Sequence, residues 1–180
     1  GAVTRTANID TLPKSTRILI TGGTGSFGSA FLAYLLENTE ARVRILSRDE
    51  HQQESLAERY PAGPRVTYLL GDVRDQERLY EAFSGADWVV HAGALKTISA
   101  GEQQAQEFAL TNVTGTQNVI RAAIRCGVQR TLLISSDKAV QPINLYGKTK
   151  AVAESLFVQG NLVAGQRGCK LAVVRGGNVW

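Results

Sequence analysis

Thr21-Gly22-Gly23-Thr24-Gly25-Ser26-Phe27-Gly28 is the stretch that decides how this chain folds. It is entered from Arg17-Ile18-Leu19-Ile20, a short apolar run with strand character, and it leaves into Ser26 to Leu36, which has helical spacing. Phe27, Ala30, Phe31, Tyr34 and Leu35 are expected on one face of that helix. Gly22, Gly25 and Gly28 stand three apart. A chain that must turn tightly, bring its backbone against a pyrophosphate and seat a helix start on a strand needs glycine at such points. The N–H groups at the helix start then face the anion, with the helix dipole behind them. Glycine-rich turns are common, so the triplet says little alone. Its place between a strand and a helix, inside a βαβ unit, gives it meaning.

Outward from this loop the same alternation repeats. Strand character returns at Arg42 to Leu46, Arg65 to Leu70, Trp88 to His91, Thr131 to Ser135 and Lys170 to Arg175. Between them, Ser47 to Arg59, Gln76 to Phe83, Gln104 to Cys126 (with Gly115 inside it) and Leu145 to Val163 read as helices. Strands alternating with helices predict an α/β fold, a doubly wound parallel sheet of the Rossmann type. The expected strand order is 3-2-1-4-5-6, with ligands beyond the carboxyl ends of the strands. Residues 1–16 read as an arm, and 17–180 as one nicotinamide-cofactor-binding domain that also carries the catalytic residues.

Composition narrows the function. Of the 180 residues, 43% are hydrophobic and 20% charged, an ordinary globular balance. The net charge is +4, but Lys and Arg are scattered and stand beside acids, as in Arg48-Asp49-Glu50 and Arg74-Asp75. That pattern argues against a nucleic-acid partner. Cys126 and Cys169 are far apart and lack metal-ligand spacing, so free thiols, no metal site and a cytoplasmic setting are expected. No apolar run approaches a membrane span, and no signal-peptide pattern leads the chain.

The end of the second strand selects between the two nicotinamide cofactors. An acid there accepts from the ribose 2′-hydroxyl of NAD, whereas an Arg suits the 2′-phosphate of NADP. Ser47 stands where the acid would be, and Arg48 follows. Its planar fork of donors matches phosphate. NADP is therefore expected over NAD, the other reading being that Arg48 pairs with Asp49 or Glu50 on the surface. After the third strand, Asp72 can accept from the adenine amino group or cap the helix beginning near Gln76.

Tyr146 and Lys150 are four apart on a predicted helix and share a face. A tyrosine, with a free pKa of about 10, must lose its proton to act as a base. A nearby lysine and a positively charged nicotinamide favour that loss. Upstream, the fifth strand ends in Ser135-Ser136-Asp137-Lys138, which offers a hydroxyl, an acid and an amine to the same crevice.

With these motifs the chain resembles the extended branch of the short-chain dehydrogenase/reductase superfamily. Most dehydratases of that branch carry Asp-Glu where this chain has Asp137-Lys138. That change, with His91-Ala92-Gly93-Ala94-Leu95-Lys96, Thr111 to Val119, Asp137 to Val140 and Gly177-Asn178-Val179, resembles the C5-inverting UDP-N-acetylglucosamine 4,6-dehydratases of bacterial polysaccharide and flagellin glycosylation. Gly93, Thr97 and Arg175-Gly176-Gly177 depart from the usual family residues, at positions that touch the sugar. Family members also continue for well over a hundred residues into a substrate-binding region absent from this chain. The 180-residue piece is accordingly expected to hold NADP without turning over a nucleotide sugar.

The resemblance implies a redox-neutral reaction on a UDP-sugar by a protein that is a homo-oligomer at full length. Tyr146 takes the 4-hydroxyl proton as the C4 hydride leaves, Ser136 hydrogen-bonds the 4-oxygen, and Lys150 lowers the Tyr146 pKa and holds the nicotinamide ribose. Lys138 removes the C5 proton, Asp137 protonates the departing 6-oxygen, and the hydride returns to C6. Gly22, Thr24, Gly25, Ser26, Phe27 and Gly28 are expected to line the cofactor, with Ser47, Arg48, Asp72, Val73, Ala92, Lys96, Tyr146 and Lys150. Lys96 reads as a cofactor or substrate contact or as a surface lysine, and Asn178 as a substrate contact. Asn112 reads as a partner of backbone near the Tyr-Lys pair or an ordinary helix residue, and His91 as a core histidine. Two other functions fit: a sugar-nucleotide epimerase or reductase using NAD or NADP, which needs no C5 base, and a non-catalytic NADP-binding domain.

Overall fold

The computed structural model describes residues 12–92, 102–136 and 145–176, for residues 102–109, 135–136, 145–151, 162–163, 167 and 175–176 only the backbone. Six parallel strands form one sheet in the order β3-β2-β1-β4-β5-β6, the order the sequence predicts. They are β1 (Arg17–Thr21), β2 (Arg42–Ser47), β3 (Val66–Leu70), β4 (Trp88–His91), β5 (Arg130–Ser136) and β6 (Lys170–Gly176). The helices are α1 (Ser26–Asn38), α2 (Glu50–Arg59), α3 (Gln76–Phe83), α4 (Glu102–Arg125) and α5 (Leu145–Ala164). A sheet covered on both faces must bury successive side chains on opposite sides. Ile18 and Ile20 of β1 pack with Val43, Ile45, Leu32 and Leu35 on one side. Leu19 packs with Leu46, Val89, Phe83 and Phe157 on the other. Truncating one of these fully buried leucines to alanine costs about 2–5 kcal/mol.

The register sets up the site. Thr21 at the end of β1 lies opposite Leu46 of β2 and His91 of β4, and Ser47 lies opposite Leu70 of β3. The ladder runs one residue further: the N–H of Gly22 donates to Leu46, that of Gly71 to Ser47 and that of Ala92 to Thr21, at 2.9–3.0 Å. The chain therefore leaves the ends of β1, β2, β3 and β4 side by side.

Two local expectations change. The buried face of α1 is Gly28, Leu32 and Leu35, while Tyr34 is exposed and Phe27 and Phe31 only flank the core. The helix is apolar on several sides, so periodicity leaves its rotation open. Gly28 settles it: a Cβ there would come within 2.7 Å of the Gly22 carbonyl oxygen and closer still to the Gly23 Cα. Second, Asp72 is not the cap of α3. Asp75 is, accepting from the Arg78 N–H.

His91 is a core histidine as expected: it is buried, with Nδ1 2.6 Å from Thr21 Oγ1. Cys126 and Cys169 are free, and burial pushes both thiols up. Among the described residues, no helix is long and apolar enough to cross a membrane, and no group of His, Cys, Asp and Glu is placed to hold a metal ion.

Candidate functional site

The three loops leaving β1, β2 and β3 enclose a cavity of about 410 Å³ with Ala92 and Thr111. Gly22, Thr24, Gly25, Ser26, Phe27 and Gly28 form one wall, and Ser47, Arg48, Asp72 and Val73 another. A more open hollow of about 590 Å³ shares Arg48, Asp49 and Asp72 with it and extends toward His51, Glu54 and Arg74.

The glycine-loop wall is made of backbone. Gly22 turns the chain with a positive φ of 68°, and the Gly25 N–H closes the turn on the Gly22 carbonyl at 3.1 Å. Gly25 is the N-cap of α1, no side chain caps that helix, and its first turn holds no acid. A helix start left in this state attracts anions through its N–H groups and a dipole equivalent to roughly half a positive charge. Thr24 Oγ1 ties the loop to α2 by donating to Gln52 Oε1 at 3.1 Å.

The opposite wall carries the charge. Ser47 is buried, and its Oγ has no hydrogen-bond partner among the described residues. A buried hydroxyl left unpaired costs free energy, so its position on a ligand-sized cavity points to a polar ligand. Arg48 does not pair with Asp49 or Glu50: Asp49 caps α2 by accepting from the Gln52 N–H at 3.0 Å, while Arg48 Nη1 lies 3.9 Å from Asp72 Oδ2. Asp72 is held mainly by Arg74, whose backbone N–H reaches Oδ1 at 2.9 Å and whose Nη2 reaches Oδ2 at 2.7 Å. Burial alone would push the Asp72 carboxyl up, but the Arg74 hydrogen bonds and the charges of Arg74 and Arg48 hold it below the usual carboxylate range.

Several contributing residues give no motif signal. Gln53 is buried and its Nε2 donates to the Leu69 carbonyl at 2.7 Å, locking the ends of β2 and β3 together. Asn118 Nδ2 donates to the carbonyls of Val73 and Arg74 at 2.9 and 3.1 Å, which fixes the Asp72 loop against α4. Gly115 allows that approach, since a Cβ there would sit 2.5 Å from Val73 Cγ2. Thr111 and Asn112 are both buried on α4. Gly115 stands out in the sequence as a glycine inside a long helix, and Thr111, Asn112 and Asn118 lie in the stretch that carries the family resemblance, but Gln53 was visible only as a polar residue.

On the far side of the sheet, Ser136 ends β5, opposite Gly176 of β6. Tyr146 and Lys150 lie in the first turns of α5. Lys96, Asp137, Lys138 and Asn178 fall outside the described residues.

Comparison with known proteins adds a family. Residues 18–180 match the family model described as polysaccharide biosynthesis protein. The inverting UDP-N-acetylglucosamine 4,6-dehydratase of Campylobacter jejuni is 45% identical over 163 residues, covering 90% of this chain and 48% of that protein. The UDP-glucose 4-epimerase of Rickettsia akari is 41% identical over 166 residues, again 90% and 48%. Among solved structures, DesIV, a dTDP-glucose 4,6-dehydratase from Streptomyces venezuelae with NAD bound, superposes with a TM-score of 0.78 at 25% identity, covering 89% of this chain and 55% of that one. The chain thus spans about half the length of the curated relatives it matches.

Proposed function

The chain belongs to the polysaccharide biosynthesis protein family, within the short-chain dehydrogenase/reductase superfamily, and on that premise we propose that the whole protein is a nucleotide-sugar 4,6-dehydratase using NADP. UDP-N-acetylglucosamine is the proposed substrate and inversion at C5 the proposed outcome. One observation carries the reading: the cavity of about 410 Å³ at the ends of β1 to β3 shares a sheet with a β5 that ends at Ser136, which Asp137 and Lys138 follow in sequence. The cavity residues fit a dinucleotide. The uncapped start of α1 suits a pyrophosphate, the orphaned Ser47 hydroxyl and Arg48 suit a phosphorylated ribose, and Asp72 suits an adenine amino group.

A bound nicotinamide supplies the hydride acceptor at C4 and the hydride donor at C6. The protein's own groups move the protons. Tyr146 accepts the 4-hydroxyl proton, with Lys150 one turn along α5 favouring its ionised form. Ser136 donates to the 4-oxygen. Once C4 is a ketone, the C5 proton is acidic and Lys138 removes it. Asp137 gives a proton to the departing 6-oxygen, which leaves as water, and a proton delivered to C5 from the face opposite Lys138 completes the hydride return to C6 and inverts C5. A 4-epimerase, the activity of the Rickettsia relative, needs no group at C5, and Lys138 speaks for the dehydratase.

The test is incubation of the whole protein with UDP-N-acetylglucosamine and NADP, read by mass spectrometry. Loss of one water from the sugar nucleotide is the expected result. A product of unchanged mass with inverted C4 would replace this reading with the epimerase. The Lys138→Ala variant is expected to accumulate reduced cofactor and the 4-keto sugar nucleotide with its 6-hydroxyl retained. Normal dehydration by that variant would remove Lys138 from the mechanism.

A further inference from the structure

Two guanidinium groups approach one carboxylate at the rim of the cavity, and they do so unequally. Arg74 Nε lies 3.2 and 3.1 Å from the two Asp72 oxygens, and Nη2 lies 2.7 Å from Oδ2. Arg48 Nη1 stands at 3.9 Å from the same Oδ2, within ion-pair range but beyond a hydrogen bond. Isolated surface pairs are weak, but this one is built. Asn118, itself buried, holds the carbonyl of Arg74, and the Gln76 side chain donates to the Asn118 carbonyl. Gly115 lets the loop seat against α4.

Resting on the NADP reading above, we infer that Arg74 is a positioning residue for cofactor choice: by occupying the Asp72 carboxylate it keeps Arg48 available for the 2′-phosphate. Without Arg74, Arg48 is the cation left within ion-pair range of the carboxylate among the described residues, and it needs only a small side-chain movement to reach it. A guanidinium paired bidentately with a carboxylate has its best donors taken and its charge offset. The preference for NADP then falls, although Arg74 itself does not touch the phosphate. Asp72 and the adenine it reads are common to both cofactors, so the ratio of the two affinities isolates the effect.

The experiment is a calorimetric titration of the 180-residue chain with NADP and with NAD. Arg74→Ala is expected to lower the NADP-to-NAD affinity ratio about tenfold, the size of one lost charge-assisted contact. Arg74→Lys, which keeps the charge but not the fork, is expected to fall in between, and it serves if the alanine variant folds poorly. Adding Asp72→Asn to Arg74→Ala should restore the ratio, because the carboxylate nearest Arg48 is then gone. Placing Arg74→Ala on Arg48→Ala should leave the ratio where Arg48→Ala alone puts it. An unchanged ratio in both Arg74 variants would overturn the inference. So would a ratio that stays low in the Asp72→Asn double variant, which would mean that Arg74 meets the phosphate directly. A wild-type chain that favours NAD would instead overturn the cofactor reading beneath it, and the inference with it.

Discussion

The two walls of the cavity work by different means. The glycine-loop wall presents backbone: a turn at Gly22, an uncapped helix start at Gly25 and a close approach at Gly28. The wall formed by the ends of β2 and β3 presents side chains: a buried hydroxyl from Ser47 and a chain of charges running Arg48, Asp72, Arg74. On the proposed function, the backbone N–H groups of the first wall meet the pyrophosphate that every dinucleotide carries and govern whether a cofactor binds. On the same proposal, the side-chain charge of the second wall distinguishes a 2′-phosphate from a hydroxyl and governs which one. The first is close-packed, whereas the second joins Arg48 and Arg74 to one carboxylate.

The contrast can be broken most severely at Gly28. A Cβ there meets backbone atoms of Gly22 and Gly23, which cannot move without shifting the loop. Gly28→Ala is expected to weaken NADP and NAD alike, by about a hundredfold, the size of an overpacking cost of roughly 2–3 kcal/mol. Calorimetry on both cofactors checks this, and a loss confined to one of them would contradict the division of labour. At the second wall, Arg48→Ala is expected to weaken NADP about tenfold and NAD by less than threefold, the Arg48 side chain being about half exposed. Equal losses would mean that Arg48 does not meet the 2′-phosphate.

Smaller effects sharpen the picture. Gly115→Ala pushes Val73 outward and tilts the Asp72 loop, so both cofactors should weaken by a few-fold, about 1 kcal/mol. Unchanged binding would show that the loop does not depend on α4. The smallest effect is one of pH. The Asp72 carboxyl is held below its ordinary range in the fold, so its contribution to stability is present above the unfolded value of about 3.9. It is lost as pH falls through the folded value. Thermal unfolding of wild type and Asp72→Asn should therefore converge as the solution is acidified. A gap independent of pH would mean that Arg74 does not hold the ionised carboxylate.

The difference between the walls also explains what the sequence could tell. The glycine loop is local: eight consecutive residues between a strand and a helix carry its whole geometry, and the strand order follows from alternation. The rotation of α1 was not legible, because its apolar residues surround the axis and only the contact of Gly28 with Gly22 and Gly23 fixes it. The roles of Asp72 and Asp75 were not separable either, since both precede α3 at distances compatible with capping. Arg74, Asn118 and Gln53 were missed for a different reason. Each acts across the fold on a partner in another element, and a lone polar residue carries no sign of its partner. Arg48 stood out because Ser47 takes the place at the end of β2 where NAD calls for an acid and Arg48 follows it, and both residues line the cavity.

Titration of the wild-type chain with NADP and NAD side by side tests the account most directly. The result predicted is binding of both, with NADP tighter, and loss of that difference in Arg48→Ala while NAD binding persists. Binding of neither cofactor, or equal affinity for the two in wild type, would contradict it.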